Sequence, residues 1–375
     1  MSIRVLHIFG DLCSLGGAER WVLDMFRLCD SRVCFDFLVS VDSGVILDEV
    51  RGLGSCVYYV PFSRSCFPLS CLNSYLSGVR KILRRGCYDV VHVHQFDLSG
   101  EILRVAFEEG VPKRVISFHA SCYTNDRIHR WLSYNFFGRR WIFRYATDIL
   151  PVSGLVSAAL CCDGNSKTKI IYPAINLECF KISDIGRVEL RKKYEGIFGI
   201  PSGAIVLGHV GRFAYQKNHR FLLRLLLSLS YQDERIYGLF IGGGELFDQI
   251  YRESVIMGLS RRIIFTGRRD DVVGIICSLF DVFVLPSLYE GLPIVMIESL
   301  AAGLGVIYSD KITTELDQFF PNRTFREKLK VENWAAAIPK ALNAKIKSKD
   351  AITELQKSPF TIQTSLEKLI EVYEK

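Results

Sequence analysis

The residues of this chain best suited to chemistry are two glutamates, Glu290 and Glu298, separated by seven residues. Glu290 follows the apolar run Val282–Leu285, which predicts a buried parallel strand. Glu298 lies in the second turn of a helix predicted over 294–302, and helical side chains lean toward the helix N-terminus. Both carboxylates can therefore face one cleft at the start of this helix. Carboxylates accept the paired hydroxyls of a ribose or a hexose, and free N–H groups at a helix start suit a phosphate.

Two cations accompany a second predicted helix start. Arg212 and Lys217 lie in GRFAYQKNH, between a strand predicted over 205–210 and a helix predicted over 219–230. Gly211 permits the turn, and we expect Asn218 to cap the helix. The fork of an arginine and the point charge of a lysine, placed beside a helix N-terminus, are typical of a diphosphate clamp. A solvated basic loop is the structural alternative.

Histidines end two predicted strands of the first half. His94 and Gln95 close YDVVHVHQF, and His119 closes VISFHA. His92 and His94 share one face of their strand because side chains alternate along it, and we take neither as catalytic. His119 is the sharper candidate for a ligand contact. Its alternative is a histidine satisfied by neighbouring backbone groups.

These residues need a scaffold that brings strand ends together. Apolar runs alternate with helical patterns from residue 3 onward, and a second alternating series begins at 205. Such alternation predicts an α/β fold with doubly wound parallel sheets, in which ligands bind at the carboxyl ends of the strands. We therefore predict two Rossmann-like domains, 1–180 and 181–359, with the linker in the polar stretch 178–198.

Composition agrees with a two-domain protein that has large cores. The chain has 375 residues, 49% hydrophobic and 23% charged, with a net charge of +7. That charge suits anionic partners such as nucleotide diphosphates or acidic headgroups without requiring them. The 12 cysteines form no Cys-x-x-Cys pair, which argues against a zinc site. Because MSIR leads directly into a strand, with no signal-peptide pattern, we expect reduced thiols and a cytoplasmic protein.

A basic and aromatic segment spans 125–145. Five arginines interleave there with Trp, Tyr and Phe: Arg127, Arg130, Arg139, Arg140 and Arg144. A helix of this composition could lie on the inner face of an anionic membrane, as a peripheral contact, or hold a lipid-linked acceptor. A core helix with a solvated cationic face explains the pattern equally well.

The loop around Glu290 reads P-S-x-x-E-G-x-P-x-x-x-x-E from Pro286 to Glu298. In this frame it resembles the GT-B glycosyltransferases, in particular the retaining family 4 with its bacterial capsule, exopolysaccharide and lipopolysaccharide transferases. The G-G-A-E-R loop from Gly16, the G-R-x-x-x-x-K loop from Gly211 and the glycines from Gly242 are similar to the same family. The resemblance covers nearly the whole chain. It implies two Rossmann-like domains facing a cleft, with a terminal helix, 360–375, crossing back onto the first domain.

The resemblance also implies roles for single residues. His119 faces the donor sugar near the reacting carbon and, with Glu290, is a catalytic candidate. Glu298 holds the ribose. The expected donor and nucleotide contacts together are Gly17, Arg212, Lys217, Gly243, Arg268, Gly291, Leu292 and Glu298.

The implied reaction is glycosyl transfer of class EC 2.4 and hexosyl type. A sugar moves from a UDP- or GDP-linked donor to a saccharide or lipid-linked acceptor, with retention, in polysaccharide or lipopolysaccharide biosynthesis. The chain has no Asp-x-Asp metal clamp, so we expect neither metal nor cofactor, with Arg212, Lys217 and a helix start in that role. We expect no nucleic-acid partner, because no nucleic-acid motif accompanies the charge.

Two alternatives stay open at this point. A sugar-nucleotide epimerase on the same fold would consume donor without an acceptor, whereas a phosphorylase would show a pyridoxal-binding lysine motif, which we do not find. A non-catalytic, transferase-like binding subunit is the third hypothesis. The intact set of Arg212, Lys217, Glu290 and Glu298 argues against it.

Overall fold

The computed structural model describes residues 2–10, 16–41, 45–62, 69–94, 98–120, 138–160 and 162–375. The chain forms two compact units. The first comprises Met1–Pro173 together with Ile362–Lys375, and the second comprises Ala174–Thr361. The two units therefore divide after residue 173, whereas the sequence predicted a division after residue 180.

The first unit is an α/β structure. Its strands are β1 Ile3–Ile8, β2 Val33–Val39, β3 Val57–Tyr59, β4 Val90–Val93, β5 Lys113–Phe118 and β6 Asp148–Pro151. Its helices, within the described ranges, are α1 Gly17–Leu28, α2 Val45–Gly52, α3 Leu69–Gly86, α4 Ser99–Glu108, α5 Arg139–Tyr145, α6 Gly154–Ala159 and α15 Ile362–Glu374. The strands form one parallel sheet in the order β3-β2-β1-β4-β5-β6.

The second unit repeats this plan. Its strands are β7 Ile205–Val210, β8 Ile236–Ile241, β9 Ile263–Gly267, β10 Val282–Leu285, β11 Gly305–Ser309 and β12 Thr324–Glu327. Its helices are α7 Asp184–Phe198, α8 His219–Ser230, α9 Phe247–Ile256, α10 Val272–Ser278, α11 Ile294–Ala301, α12 Glu315–Phe319, α13 Val331–Asn343 and α14 Ser348–Gln356. The parallel sheet has the order β12-β11-β10-β7-β8-β9.

The two sheets confirm the predicted doubly wound fold class. In each sheet the strand order reverses between two central strands, β1 and β4 in the first unit and β7 and β10 in the second. Residues on the central strands are buried, as in β4 and β10, and apart from His92 the residues of these two strands are apolar, as in parallel sheets with helices on both faces. Open sheets of this kind bind ligands where the order reverses, outside the carboxyl ends of the strands. The functional residues should therefore lie at these two switch points.

Helix α15 belongs to the first unit although it follows the whole second unit in sequence. Its buried residues Leu366, Leu369 and Ile370 pack on the unit's core. The Trp21 indole N–H of α1 donates to the Ser365 hydroxyl at 3.1 Å. Helix α15 is thus part of the layer of helices that covers the first sheet.

The stretch 178–198 corrects one expectation. It is not an irregular linker: a short 3-10 turn, Leu177–Phe180, leads into the 15-residue helix α7. The Ser183 hydroxyl accepts from the Gly186 N–H at 3.1 Å and caps the helix start. The side chain of Arg191 pairs with Asp281 at 3.1 Å. The helix was missed because its few apolar residues give only a weak amphipathic period.

The basic segment 125–145 is described only from residue 138 onward. There, α5 carries Arg139 and Arg144, whose guanidinium groups lie over the rings of Phe143 and Tyr145 at 5.7 and 5.4 Å. Residues 121–137 lie outside the described residues, so the membrane contact stays a prediction. None of the described helices combines the length and the hydropathy that a bilayer crossing requires.

A substitution at Gly208 tests the packing of the second sheet. A Cβ at this position of β7 would overlap the ring of Phe280, which is fully buried. We expect Gly208→Ala to lower the free energy of unfolding by about 1–3 kcal/mol, because overpacking forces the ring to move. Urea unfolding measures it.

The matched control is Gly196→Ala. This glycine lies in α7 with no atom within 4 Å of the added Cβ. Alanine should stabilise the protein by about 0.5–1 kcal/mol, since glycine costs that much inside a helix. Equal effects of the two substitutions would contradict the packing argument.

Candidate active site

Hydrogen bonds join the loops that follow β7 and β10. The side-chain amide of Gln216 donates to the Tyr289 carbonyl at 2.8 Å, and the Leu288 N–H donates to the Gln216 carbonyl at 2.8 Å. The Asn218 amide donates to the Pro286 carbonyl at 3.3 Å. Because the two strands are neighbours in a parallel sheet, their following loops leave from the same edge. The predicted cation loop and the predicted glutamate loop therefore form one site.

Lys217 and Glu290 meet at the centre of this site. The Lys217 ammonium lies 2.7 Å from Oε1 of Glu290, with the side chains only 15% and 11% exposed. The contact is an ion pair, but it is not aligned as a hydrogen bond, and this Oε1 has no hydrogen-bond partner in the described part of the chain. A buried carboxylate needs a compensating cation. It also retains the capacity to accept a hydrogen bond from a ligand hydroxyl.

Arg212 and Arg268 lie at the neighbouring strand ends. The Arg212 side chain is 73% exposed and pairs with Glu245 at 3.1 Å. Such an exposed pair contributes about 0–1 kcal/mol, so a phosphate can replace the carboxylate at little cost. Arg268 follows β9, and its side chain would lie 3.4 Å from a Cβ on Gly243.

A glycine allows the loops after β7 and β8 to approach. Gly242 has φ of +140°, and a Cβ there would overlap the carbonyl oxygen of Gly211. The Phe213 N–H donates to the Gly243 carbonyl at 2.9 Å. The backbones of both loops therefore lie against each other beside Arg212. Backbone N–H groups and cations thus lie at the same edge of the second sheet.

The remaining predicted residues of the second unit lie in or beside α11. Glu298 is buried, with 6% exposure, in the second turn of the helix, where the sequence predicted it. Leu292 is also buried, and Gly291 lies between it and Glu290. Pro293 precedes the helix, so the chain enters α11 at the site.

The first unit places its candidates at strand ends at or beside the β1–β4 switch point. His119 directly follows β5, and its Nε2 lies 3.1 Å from Nδ1 of His94. The ring of Trp21 packs edge-to-face against His119 at 5.9 Å. His92 and His94 do share a face, with ring centroids 4.1 Å apart. Gly17 is the first residue of α1 and is exposed.

Two family models match this chain. The model for Glycosyltransferase Family 4 matches residues 15–179, and the model for Glycosyl transferases group 1 matches residues 191–358. The chain is a family 4 glycosyltransferase. Each model covers most of one unit, so the resemblance in the loop motifs extends to both halves.

Similar proteins agree with this family assignment. EpsF of Bacillus subtilis (strain 168), which carries a glycosyltransferase name, is 29% identical over 99% of this chain and 96% of its own. The capsular polysaccharide biosynthesis glycosyltransferase CapH of Staphylococcus aureus is 27% identical over 99% and 98%. The crystal structure of Anabaena HepE in complex with UDP matches with a TM-score of 0.79 at 18% identity, over 100% of both chains. The expected GT-B fold is confirmed.

The structure corrects the role of Asn218 in this glycosyltransferase. Asn218 does not cap α8 with its side chain: it has a left-handed backbone, φ of 53°, and its amide reaches across to the glutamate loop. Asp271 directly precedes α10, and its carboxylate pairs with Arg269 at 2.6 Å rather than with the helix N–H groups. The tie through Gln216 was missed, since no local pattern marks a contact between distant loops.

Two buried histidines, His209 of β7 and His219 of α8, flank the cation loop in sequence. The imidazole Nδ1–H of His209 donates to the Val284 carbonyl at 2.9 Å, and burial lowers the pKa of His209 to about 3. His219 stacks on Phe213 at 3.9 Å, and neither of its nitrogens has a partner among the described residues. Burial, followed by the nearby charges of His209 and Lys217, lowers its pKa to about 2.

His219 therefore predicts a pH dependence of stability. Its folded-state pKa lies below the unfolded value of about 6.5, so the unfolded state binds the proton first and stability falls as the pH drops below 6.5. Between pH 7 and 5 this histidine should cost about 2 kcal/mol. We expect His219→Phe, which keeps the stacking, to lose about 2 kcal/mol less than the native chain over this interval in urea unfolding.

The other buried histidines serve as the internal reference, because they titrate in both proteins. Parallel losses of stability in the native chain and in His219→Phe would contradict the assignment.

Proposed function

We propose that this glycosyltransferase moves a hexosyl group from a UDP-linked sugar to a saccharide acceptor, with retention of the anomeric configuration, during assembly of a surface polysaccharide. The observation that carries the proposal is the buried Lys217–Glu290 ion pair at the β7–β10 switch point. HepE, whose fold this chain shares, holds UDP, and CapH carries the name of a capsule biosynthesis enzyme. Both names support the choice of donor and setting.

The donor's diphosphate would take the place of Glu245 beside Arg212. An arginine fork binds two phosphate oxygens at once, and the ammonium of Lys217 adds a compact positive charge. Both cations then stabilise the negative charge that develops on the leaving diphosphate as the glycosidic bond to it breaks. The N-terminus of α11 adds backbone N–H groups and a partial positive charge, which also favour the diphosphate.

The two glutamates would divide the rest of the donor. Glu290 accepts hydrogen bonds from sugar hydroxyls through Oε1, which has no hydrogen bond among the described residues, and this fixes the sugar ring against the diphosphate. Glu298 accepts from the ribose hydroxyls. Gly291 and Leu292, which connect them, keep the backbone of the loop close to the sugar.

Removal of either member of the ion pair should abolish transfer. We expect Glu290→Ala and Lys217→Ala each to lower kcat by at least about 100-fold, because each removes a group that acts on the transition state. The measurement is UDP release from a panel of UDP- and GDP-sugars, with and without saccharide acceptors. Conversion of a nucleotide sugar into its epimer in the absence of any acceptor, with no net release of UDP, would favour the epimerase instead.

Two further variants separate catalysis from stability. The double variant Lys217→Ala/Glu290→Ala removes both charges, so it should be more stable than Lys217→Ala alone, which leaves a buried carboxylate uncompensated, yet equally inactive. Arg220→Ala removes an exposed cation of α8 that pairs with Glu253 and should leave kcat unchanged. Turnover at the native rate in Glu290→Ala would refute the proposal.

We also propose that no metal takes part in donor binding. Arg212, Lys217 and the start of α11 supply the positive charge at the diphosphate. Activity should therefore survive EDTA, measured as UDP release after dialysis against the chelator. Loss of activity that magnesium or manganese restores would show that the cations of the chain do not suffice.

A further inference from the structure

Histidine side chains form a row on one face of the first sheet. His7 of β1 is in register with His92 of β4, and His94 and His119 directly follow β4 and β5. All four project from the same face because side chains alternate along each strand. The row therefore crosses the switch point of the first unit, from its interior to the end of β5.

Three of these rings are joined nitrogen to nitrogen. Nδ1 of His7 lies 2.9 Å from Nε2 of His94, and Nδ1 of His94 lies 3.1 Å from Nε2 of His119. Both nitrogens of His94 are thus used by other imidazoles. Each of these contacts needs one N–H and one bare nitrogen.

All three rings are neutral at pH 7. Burial lowers the pKa of His7 to about 3 and that of His119 to about 4, and burial with the neighbouring rings holds the pKa of His94 well below its usual value. A neutral imidazole carries one N–H and one bare nitrogen. The middle ring must therefore donate on one side and accept on the other, so both hydrogen bonds run in the same direction along the row.

The far end of the row selects the direction. Nε2 of His7 is buried and has no hydrogen-bond partner in the described part of the chain. Orphaned buried N–H groups are rarer than orphaned acceptors, and the nearby Phe35 ring, 4.6 Å away, is a weak acceptor at best. Nε2 of His7 is therefore the bare nitrogen, and its Nδ1–H donates to His94.

We infer that His94 and His7 are positioning residues that hold His119 in the tautomer with hydrogen on Nδ1. His94 donates from its own Nδ1 to Nε2 of His119, so the remaining nitrogen of His119 carries the proton. The effect on activity rests on the proposed function, since it requires His119 to contact the substrate, as the family resemblance implies. In such a contact His119 donates a hydrogen bond to a substrate oxygen and does not act as a base.

A metal site in the same row is disfavoured by its geometry. His7, His92 and His94 have ligand atoms within 4.8 Å of one another. Their rings, however, are close to parallel, with interplanar angles of 18°, 30° and 35°, so their in-plane lone pairs do not converge on one point. Both nitrogens of His92 already contact hydroxyls, those of Tyr373 at 2.6 Å and Ser117 at 2.7 Å.

The direct test is the tautomer of His119 in the full chain. Long-range ¹H–¹⁵N correlation NMR on ¹⁵N-histidine-labelled protein distinguishes Nδ1–H from Nε2–H in each ring, with assignment by single substitutions. We expect hydrogen on Nδ1 of His119. Hydrogen on Nε2 in the native protein would overturn the inference.

A matched pair of variants tests the part played by His94. His94→Asn keeps an amide N–H near the position of Nδ1, so His119 should keep its tautomer and most of its activity. His94→Phe keeps the ring but removes both nitrogens, so His119 should shift toward the Nε2–H form that a free imidazole favours. With that shift, kcat should fall roughly 10-fold to 100-fold, as for other orienting partners.

The spectra separate this inference from the proposed function. A native protein that releases no UDP from any nucleotide sugar, yet shows His119 with hydrogen on Nδ1, would refute the proposed function and leave the tautomer assignment standing. An unchanged His119 tautomer in His94→Phe, or equal loss of activity in both variants at a constant tautomer, would show a merely structural role for His94 and overturn the inference.

Discussion

The second unit depends on one electrostatic constraint, the compensation of a buried carboxylate. Glu290 is almost out of contact with water, so its charge is tolerable only beside the Lys217 ammonium. These residues come from loops on two strands that are distant in sequence but adjacent in the sheet. The ties through Gln216 hold the loops together. The same pair that satisfies the fold is the pair that the sugar and its diphosphate would engage.

The two units place different chemistry at equivalent positions of the same topology. At the β7–β10 switch point the side chains are charged, and they suit a charged donor. At the β1–β4 switch point the histidines are buried or half-buried and neutral, so they can form hydrogen bonds but carry no charge. The sheet order determines where a site lies, whereas burial determines whether its groups carry charge.

Much of this architecture could be predicted from the sequence, because the strands are continuous apolar runs. The bounds of β10 and α8 follow from the amino-acid sequence alone. The motif around Glu290 located the candidate active site of the second unit. What could not be predicted depends on distant contacts. Asn218 reaches another loop instead of its own helix, and His7 joins the row of histidines only through strand register. Helix α7 was not predicted because its apolar residues form only a weak helical period.

Helix α15 links the first unit to the order in which the chain is synthesised. Its Ser365 hydroxyl accepts from the Trp21 indole N–H, and its Tyr373 hydroxyl contacts His92 of the row of histidines. A ribosome therefore releases the last piece of this unit only after every residue of the other unit has been made. Until then the first unit lacks the contacts that Trp21 and His92 make with this helix, so its fold is completed last.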